Sequence, residues 1–193
     1  MVTLRQRNRL NAMRTTQRAA LAMFIERGFD KVTVGEIADE VDMAASTIYR
    51  HFSTKEAIVI WDEHDSAIDA ALEAALKVLA PLEALRSAFA NELSTRYDAD
   101  LDFQLKRIQY IYATEQLHAA ALEADLRNRG DLTQALEHFL SKPNRPAATV
   151  IAGAALLALD VAIDRWQTEN AKRPLAVHIA ETFDHLKHLG TLT

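Results

Sequence analysis

The chain has 193 residues and a mass of 21.6 kDa, enough for one or two small domains with a sizeable core. It has no cysteine, five glycines and four prolines, with 49% apolar and 25% charged residues, which excludes disulfide scaffolds and thiolate metal sites and argues against a β-sandwich, a collagen or a disordered chain. The net charge of −5 is unevenly spread: residues 1–60 carry +2 and residues 61–193 carry −7, and Arg5, Arg7, Arg9, Arg14 and Arg18 all precede the first acid, Glu26. A basic front on an acidic body marks an end suited to a polyanion.

In chain order, apolar residues recur on helical spacing from Leu10 through Met13, Leu21, Phe24 and Ile25, and Gly28 stands where a helix ends. No apolar run follows the basic segment, which argues against a secretory signal, and a cytoplasmic location is expected. Thr33-Val34-Gly35-Glu36 is a capping-box pattern that opens a second helix running to about Val41. Asp42, Met43 and Ala44 leave room only for a tight turn, and a third helix covers Ala45 to about His51. Ser53-Thr54-Lys55-Glu56 reads as another capping box, with Ser53 as the cap. With no glycine or proline before Pro81, the fourth helix is expected to run about 25 residues and to be shared by both halves of the chain. Five further helices are expected over 82–97, 101–113, 115–140, 146–168 and 174–189, with Gly130 as a possible kink. The sequence thus predicts an all-α fold of about nine helices, without strand alternation or repeats.

Two short helices joined by a three-residue turn have helix-turn-helix geometry, whose second helix enters the major groove of DNA. In the third helix, Ile48 and Phe52 form an i,i+4 pair for the core. Ala45, Ser46, Thr47, Tyr49, Arg50 and His51 are left facing outward, a polar set with no acid in it.

Residues 10–60 resemble the DNA-binding domain of the tetracycline-repressor (TetR) family of bacterial regulators. The resemblance runs through Ala19-Ala20 to Phe24, Glu26-Arg27-Gly28-Phe29-Asp30, Thr33-Val34 with Ile37-Ala38, Thr47-Ile48-Tyr49-Arg50-His51-Phe52 and Lys55-Glu56. It departs from the family at the turn, where Asp42 and Ala44 replace the usual glycine and serine, and at Val32. The resemblance implies an N-terminal three-helix DNA-binding domain over 1–60, with its helix-turn-helix at about 33–52, continuous with a helical ligand-binding and dimerisation domain over 61–193. It implies that Thr33, Tyr49, His51 and Lys55 meet phosphates. Ala45, Ser46 and Thr47 approach base edges, and Arg50 takes a phosphate or a guanine. The expected partners are double-stranded DNA bearing a palindromic operator, an unknown small-molecule effector and a second copy of the chain. That copy would pack through about 146–168, rich in alanine, and 174–189.

In the second half, the 101–113 helix is apolar on more than one side, with Arg107 among aromatics. Phe103, Arg107, Tyr110, Ile111, Thr114, His118 and Trp166 are candidate lining for an apolar effector with an acidic head. Glu181, Asp184, His185 and His188 share helical spacing but read as an exposed face, as do Asp62, Glu63, His64 and Asp65. No metal or cofactor is expected. The run from Ala147 to Ile163 reads as a buried helix, not a membrane span. The five glycines form no phosphate loop, and no nucleophile or metalloprotease motif is present, so a non-enzymatic regulator, a repressor, is expected. The rival readings are a constitutive or architectural DNA binder without effector and an all-α carrier or enzyme.

Overall fold

The computed structural model describes residues 3–62, 65–139 and 144–188. Among these residues every regular element is helical: α1 (Leu4–Arg27), a 3-10 turn (Phe29–Lys31), α2 (Val34–Glu40), α3 (Ala45–His51), α4 (Lys55–Ile60), α5 (Asp65–Leu76), α6 (Pro81–Ala99), α7 (Leu101–Ala113), α8 (Glu115–Phe139), α9 (Arg145–Thr168) and α10 (Leu175–Lys187). They form two compact units, one of residues 1–63 with 106–121 and the other of residues 64–105 with 122–193.

The first unit is nucleated by the stripe Met13, Thr16, Gln17, Ala20, Leu21 and Phe24 of α1, all buried. Against it pack Ile37 and Ala38 of α2, Ile48 of α3, Phe52, and Ile58 and Val59 of α4. Gly28 ends α1 at φ 91°, a conformation that other residues adopt only under strain, and its N–H bonds Phe24 O at 2.8 Å. Asp42 takes φ 50° in the turn between α2 and α3, a left-handed conformation that glycine adopts more easily.

Helix α4 differs from the long fourth helix that the sequence suggests. It stops at Ile60, and Trp61 leaves the helical path at φ −48° and ψ 125°. The reason lies on distant elements. The buried Gln17 amide donates to the carbonyls of Ile58, Val59 and Trp61 at 3.0, 3.2 and 2.7 Å. The Arg107 guanidinium donates to Val59, Ile60 and Trp61 at 3.3, 3.4 and 3.1 Å. The end carbonyls of a helix lack partners of their own, and a cation there complements the negative end of the helix dipole. The start of α4 also shifts by one residue: Thr54, not Ser53, is the cap, and its hydroxyl accepts from Ala57 N–H at 3.1 Å.

In the second unit α6, α9 and α10 pack side by side. Phe89 meets Phe183 with ring centroids 6.2 Å apart, and Glu83 pairs with Lys187 at 2.6 Å, so α6 and α10 run antiparallel. Small residues Ala148, Ala152, Ala155, Ala158 and Ala162 bury one face of α9, ending on the fully buried Trp166, whose ring lies 5.5 Å from that of Tyr97. The opposite face of α9 leaves Val150, Leu157 and Val161 exposed, the first at 70%. By length and composition alone α9 is apolar enough to cross a membrane; its division into a buried alanine face and an exposed branched one is equally that of a helix packed between proteins. Helix α8 passes through Gly130 without a break in its helical assignment.

Candidate nucleic-acid interface

The surface begins with α2. Thr33 caps it through a complete capping box: its hydroxyl accepts from Glu36 N–H at 3.2 Å, and the Glu36 carboxylate accepts from the Thr33 N–H and hydroxyl, each at 2.8 Å. Arg27 clamps the same carboxylate. The Arg27 hydrogen bond, then those from Thr33, hold the exposed Glu36 carboxyl down at about 2. Glu36 is therefore ionised beside the position expected to meet a phosphate, and Arg27 offsets its charge there.

Helix α3 presents the expected face. Ile48 and Phe52 are buried and fix its orientation, while Ser46, Tyr49 and Arg50 are exposed and Ala45, Thr47 and His51 are half-buried. Ala44 caps the helix without a side-chain bond, although the Thr47 N–H reaches Ala44 O at 2.8 Å. The Arg50 guanidinium donates to the Thr47 hydroxyl at 3.4 Å, which ties the two outward side chains together. Burial first, then Arg9 and Arg50, push the His51 imidazole down, so it is neutral at neutral pH. Its Nδ1 is buried and has no hydrogen-bond partner among the described residues.

Lys55, expected to reach the DNA backbone, is half-buried and bound inward. Its ammonium donates to Phe29 O at 2.9 Å and to Val32 O at 3.3 Å, and lies 4.1 Å from the centroid of the Phe29 ring. It joins α4 to the 3-10 turn.

The candidate effector residues divide between the units. Arg107, Tyr110, Ile111, Thr114 and His118 lie in the first and Phe103 and Trp166 in the second. Besides the α4 carbonyls, Arg107 meets the Asp62 carboxylate at 3.1 Å; the Arg107 side chain is 3% exposed and that of Asp62 17%. Asp62 is thus enclosed and not part of a solvated face; Glu63 and His64 lie outside the described residues. Tyr110 donates its hydroxyl to Phe24 O at 2.9 Å, and burial raises its pKa. Ile111 is buried, Thr114 and His118 are half-buried, and the His118 ring stacks on Tyr112 at 4.9 Å. Phe103 is half-buried. On α10, Glu181 is held by Arg165 at 3.1 Å and by Arg173 at 2.6 Å. Beside it His178 is fully buried, with its imidazole pushed down chiefly by burial and then by Arg173.

The sequence reading missed the pair that closes α4. Gln17 occupies a core position on α1, and its only signal was a lone amide inside an apolar stripe. Arg107 was singled out for the wrong neighbours to be visible: carbonyls 46 to 48 residues away carry no sequence mark.

A buried-cored trihelical head, with a short exposed helix free of acids, has the geometry of a helix-turn-helix unit. Residues 18–60 match the family model of bacterial regulatory proteins, tetR family. A curated relative, the HTH-type transcriptional regulator TcmR of Streptomyces glaucescens, is 36% identical over 103 residues. That match takes in 51% of this chain and 45% of the relative, so the chain spans under half the length of the relative it matches. Among solved structures, the fatty acid degradation regulator FadR of Bacillus halodurans superposes with a TM-score of 0.57 at 19% identity, covering 94% of this chain and 96% of that one. FadR of Thermus thermophilus, a TetR-family repressor in complex with lauroyl-CoA, gives 0.54 at 22% identity over 94% and 95%. NalD of Pseudomonas aeruginosa, the secondary repressor of the MexAB-OprM efflux pump, gives 0.53 at 18% over 93% and 96%. At these identities the likeness is one of fold.

Proposed function

We propose that this chain is a cytoplasmic transcriptional regulator that represses from a palindromic operator and is released by a small-molecule effector. It acts by binding and not by catalysis. The observation that carries the reading is α3: Ile48 and Phe52 anchor it, and Ser46, Tyr49 and Arg50 stand outward with no acid among them. A second copy is needed to read a palindrome, because two heads must meet successive major grooves about 34–36 Å apart. The exposed stripe Val150, Leu157 and Val161 on α9, with Val177 on α10, supports pairing of this pair of helices with its symmetry mate.

The effector reading is an apolar molecule with an acidic head. FadR of Thermus thermophilus, whose structure holds lauroyl-CoA, is a precedent for such a ligand within this fold. An acidic head seeking Arg107 would compete with Asp62 for it, and so would loosen the end of α4. To take the protein from mostly bound to mostly released, the effector must favour the released state by about 10⁴-fold.

The reading is tested by selecting bound duplexes from a random library at two salt concentrations. A palindromic consensus is expected. Binding that fades with salt and enriches no sequence would overturn it.

A further inference from the structure

The turn between α9 and α10 is strained, and it closes over a buried histidine. Asn170 and Ala171 stand in succession at φ 54° and 52°. Asparagine tolerates this left-handed conformation, but alanine adopts it only at a cost. The turn is held by the Ala171 N–H on Trp166 O and the Glu169 N–H on Arg165 O, each at 2.9 Å. Beside it His178 of α10 is 0% exposed. Arg173, from the same turn, directs its guanidinium at His178 Nδ1, 3.4 Å away. An arginine only donates, so Nδ1 accepts and the neutral ring carries its hydrogen on Nε2. That Nε2 is buried without a hydrogen-bond partner among the described residues, and the Glu169 carboxylate lies 3.7 Å from it.

A second proton finds no place in this arrangement. It would enter at Nδ1, against Arg173, which is itself held by Glu181 at 2.6 Å and by Glu169 at 3.5 Å. Arg165 completes the group, 3.1 Å from Glu181. Two arginines and two glutamates already balance, so an imidazolium adds one uncompensated charge in a fully buried ring. The charged groups that act on the ring are Arg173, Glu169, Arg165 and Glu181. Helix α6, which also packs on α10, keeps Glu83 and Arg86 at the Lys187 end and pairs Arg96 with Glu92. Burial, then Arg173, hold the imidazole below its ordinary 6.5 while the turn is closed. A ring released to water takes its proton at the ordinary value, so acid favours the open turn.

We propose that His178 is a proton-operated latch, whose protonation opens the 169–174 turn, frees the first turn of α10 and unseats the pairing face that carries Val177. The effect on pairing rests on the dimer reading above, whereas the latch stands on the α9–α10 turn alone. From 6.5 down to the pH at which the closed ring also titrates, each pH unit favours the open turn by about tenfold.

The full chain is followed from pH 7.5 to 5.0 by imidazole NMR, by sedimentation and by hydrogen exchange of the Val177 N–H, which bonds Pro174 O at 3.0 Å. Exchange is compared with that of His178→Gln at each pH, which cancels its intrinsic pH dependence. The wild-type chain is expected to lose protection by about tenfold per unit below 6.5 and to dissociate, while His178→Gln keeps both. Arg173→Gln retains a donor for Nδ1 without the charge, and is expected to move the ring's titration up toward 6.5 and to shrink the loss. Glu169→Gln is expected to move the titration down and to deepen the loss. These opposite shifts, at partly exposed positions, also decide the matter if His178→Gln does not fold. Equal loss in His178→Gln and wild type overturns the latch, as does a wild-type ring that titrates at 6.5 with Val177 still protected. Titrations that do not move in Arg173→Gln and Glu169→Gln overturn it too. Loss of protection in a chain that stays dimeric overturns the effect on pairing and keeps the latch.

Discussion

The two units treat buried polar groups differently. In the first unit several of them close helices, while His51 Nδ1 has no hydrogen-bond partner among the described residues. Gln17 and Arg107 take the carbonyls at the end of α4, Tyr110 takes Phe24 O at the end of α1, and Lys55 takes those of the 3-10 turn. In the second unit, Ser94 Oγ, Trp166 Nε1 and His178 Nε2 are buried without hydrogen-bond partners among the described residues. There the packing rests on alanine and on aromatic pairs such as Phe89 with Phe183. An unmatched buried polar group costs free energy, whereas a matched one specifies a single arrangement. The matched groups of the head specify one arrangement of its helices. The body leaves Ser94 Oγ, Trp166 Nε1 and His178 Nε2 unmatched, although the buried Thr133 and Thr182 hydroxyls donate to carbonyls of their own helices.

The largest expected effect separates the units through the assembly. Val150→Asp combined with Leu157→Asp puts charge into the proposed pairing face. By symmetry each substitution acts twice, and losing four apolar side chains at about 1.5 kcal/mol or more each removes roughly 6 kcal/mol of association. Both positions are exposed, at 70% and 64%, so the fold of one protomer should be kept. Sedimentation should show monomers with wild-type helicity. Persistent dimers would place the interface elsewhere.

Next comes the brace of the head. Arg107→Ala leaves the enclosed Asp62 carboxylate without its cation and uncovers the end of α4. Breaking one side of a buried pair costs about 3–5 kcal/mol, and the 17% exposure of Asp62 puts the expectation at the lower end. Urea denaturation should show the head unfolding first, with the second unit's helices still folded. Arg107→Lys should recover only part, because an ammonium cannot fork between Asp62 and the carbonyls. A loss below about 1 kcal/mol would show that α4 ends without help.

A smaller effect probes the DNA face. Arg50→Ala should weaken binding by about 1–3 kcal/mol. If Arg50 meets a phosphate, the loss is even across sequences and the salt slope drops by about 1. If it meets a guanine, preference relaxes at one base pair. The Thr47 contact predicts that Thr47→Ala reproduces part of the loss by freeing the guanidinium. Lys55→Ala should differ in kind, lowering the thermal stability of the head because its ammonium serves Phe29 and Val32 carbonyls.

These contrasts also explain what the sequence disclosed. The head was legible because its signals are local: the Thr33–Glu36 box, Gly28 after α1 and the Ile48–Phe52 pair each act within a few residues. The later helices followed from Pro81, from Pro143 before α9 and Pro146 in its first turn, and from the polar stretch before α10. The end of α4 was illegible. Helix propensity runs through residues 55–76 without glycine or proline, and the break is imposed by Gln17 and Arg107, 41 and 48 residues from carbonyls they hold. The role of Lys55 was hidden for the same reason: a lysine on a first turn reads alike whether it reaches for DNA or folds back on Phe29.

The smallest expected effect sharpens the contrast most directly, by comparing paired and unpaired charge. Asp125 of α8 is half-buried, and burial, with Asp160 second, pushes its carboxyl up to about 6. The folded chain therefore holds this proton more tightly than the unfolded chain, whose carboxyl has its ordinary value of 3.8. Its stabilising contribution is present below 3.8 and lost as pH rises through about 6. Asp125→Asn removes the ionisation without changing the shape. Since the group is still partly solvated, the gain at pH 7.5 should be about 1 kcal/mol, a rise in Tm of roughly 2–4 °C. The gain should vanish near pH 4. His178 acts with the opposite sign: its depressed imidazole costs stability as pH falls below its ordinary 6.5. His178→Phe should therefore flatten the acid side of the stability profile while Asp125→Asn lifts the neutral side. If Asp125→Asn is equally stabilising at pH 4 and pH 7.5, the gain comes from packing and not from charge, and the second unit does not carry an unmatched carboxylate.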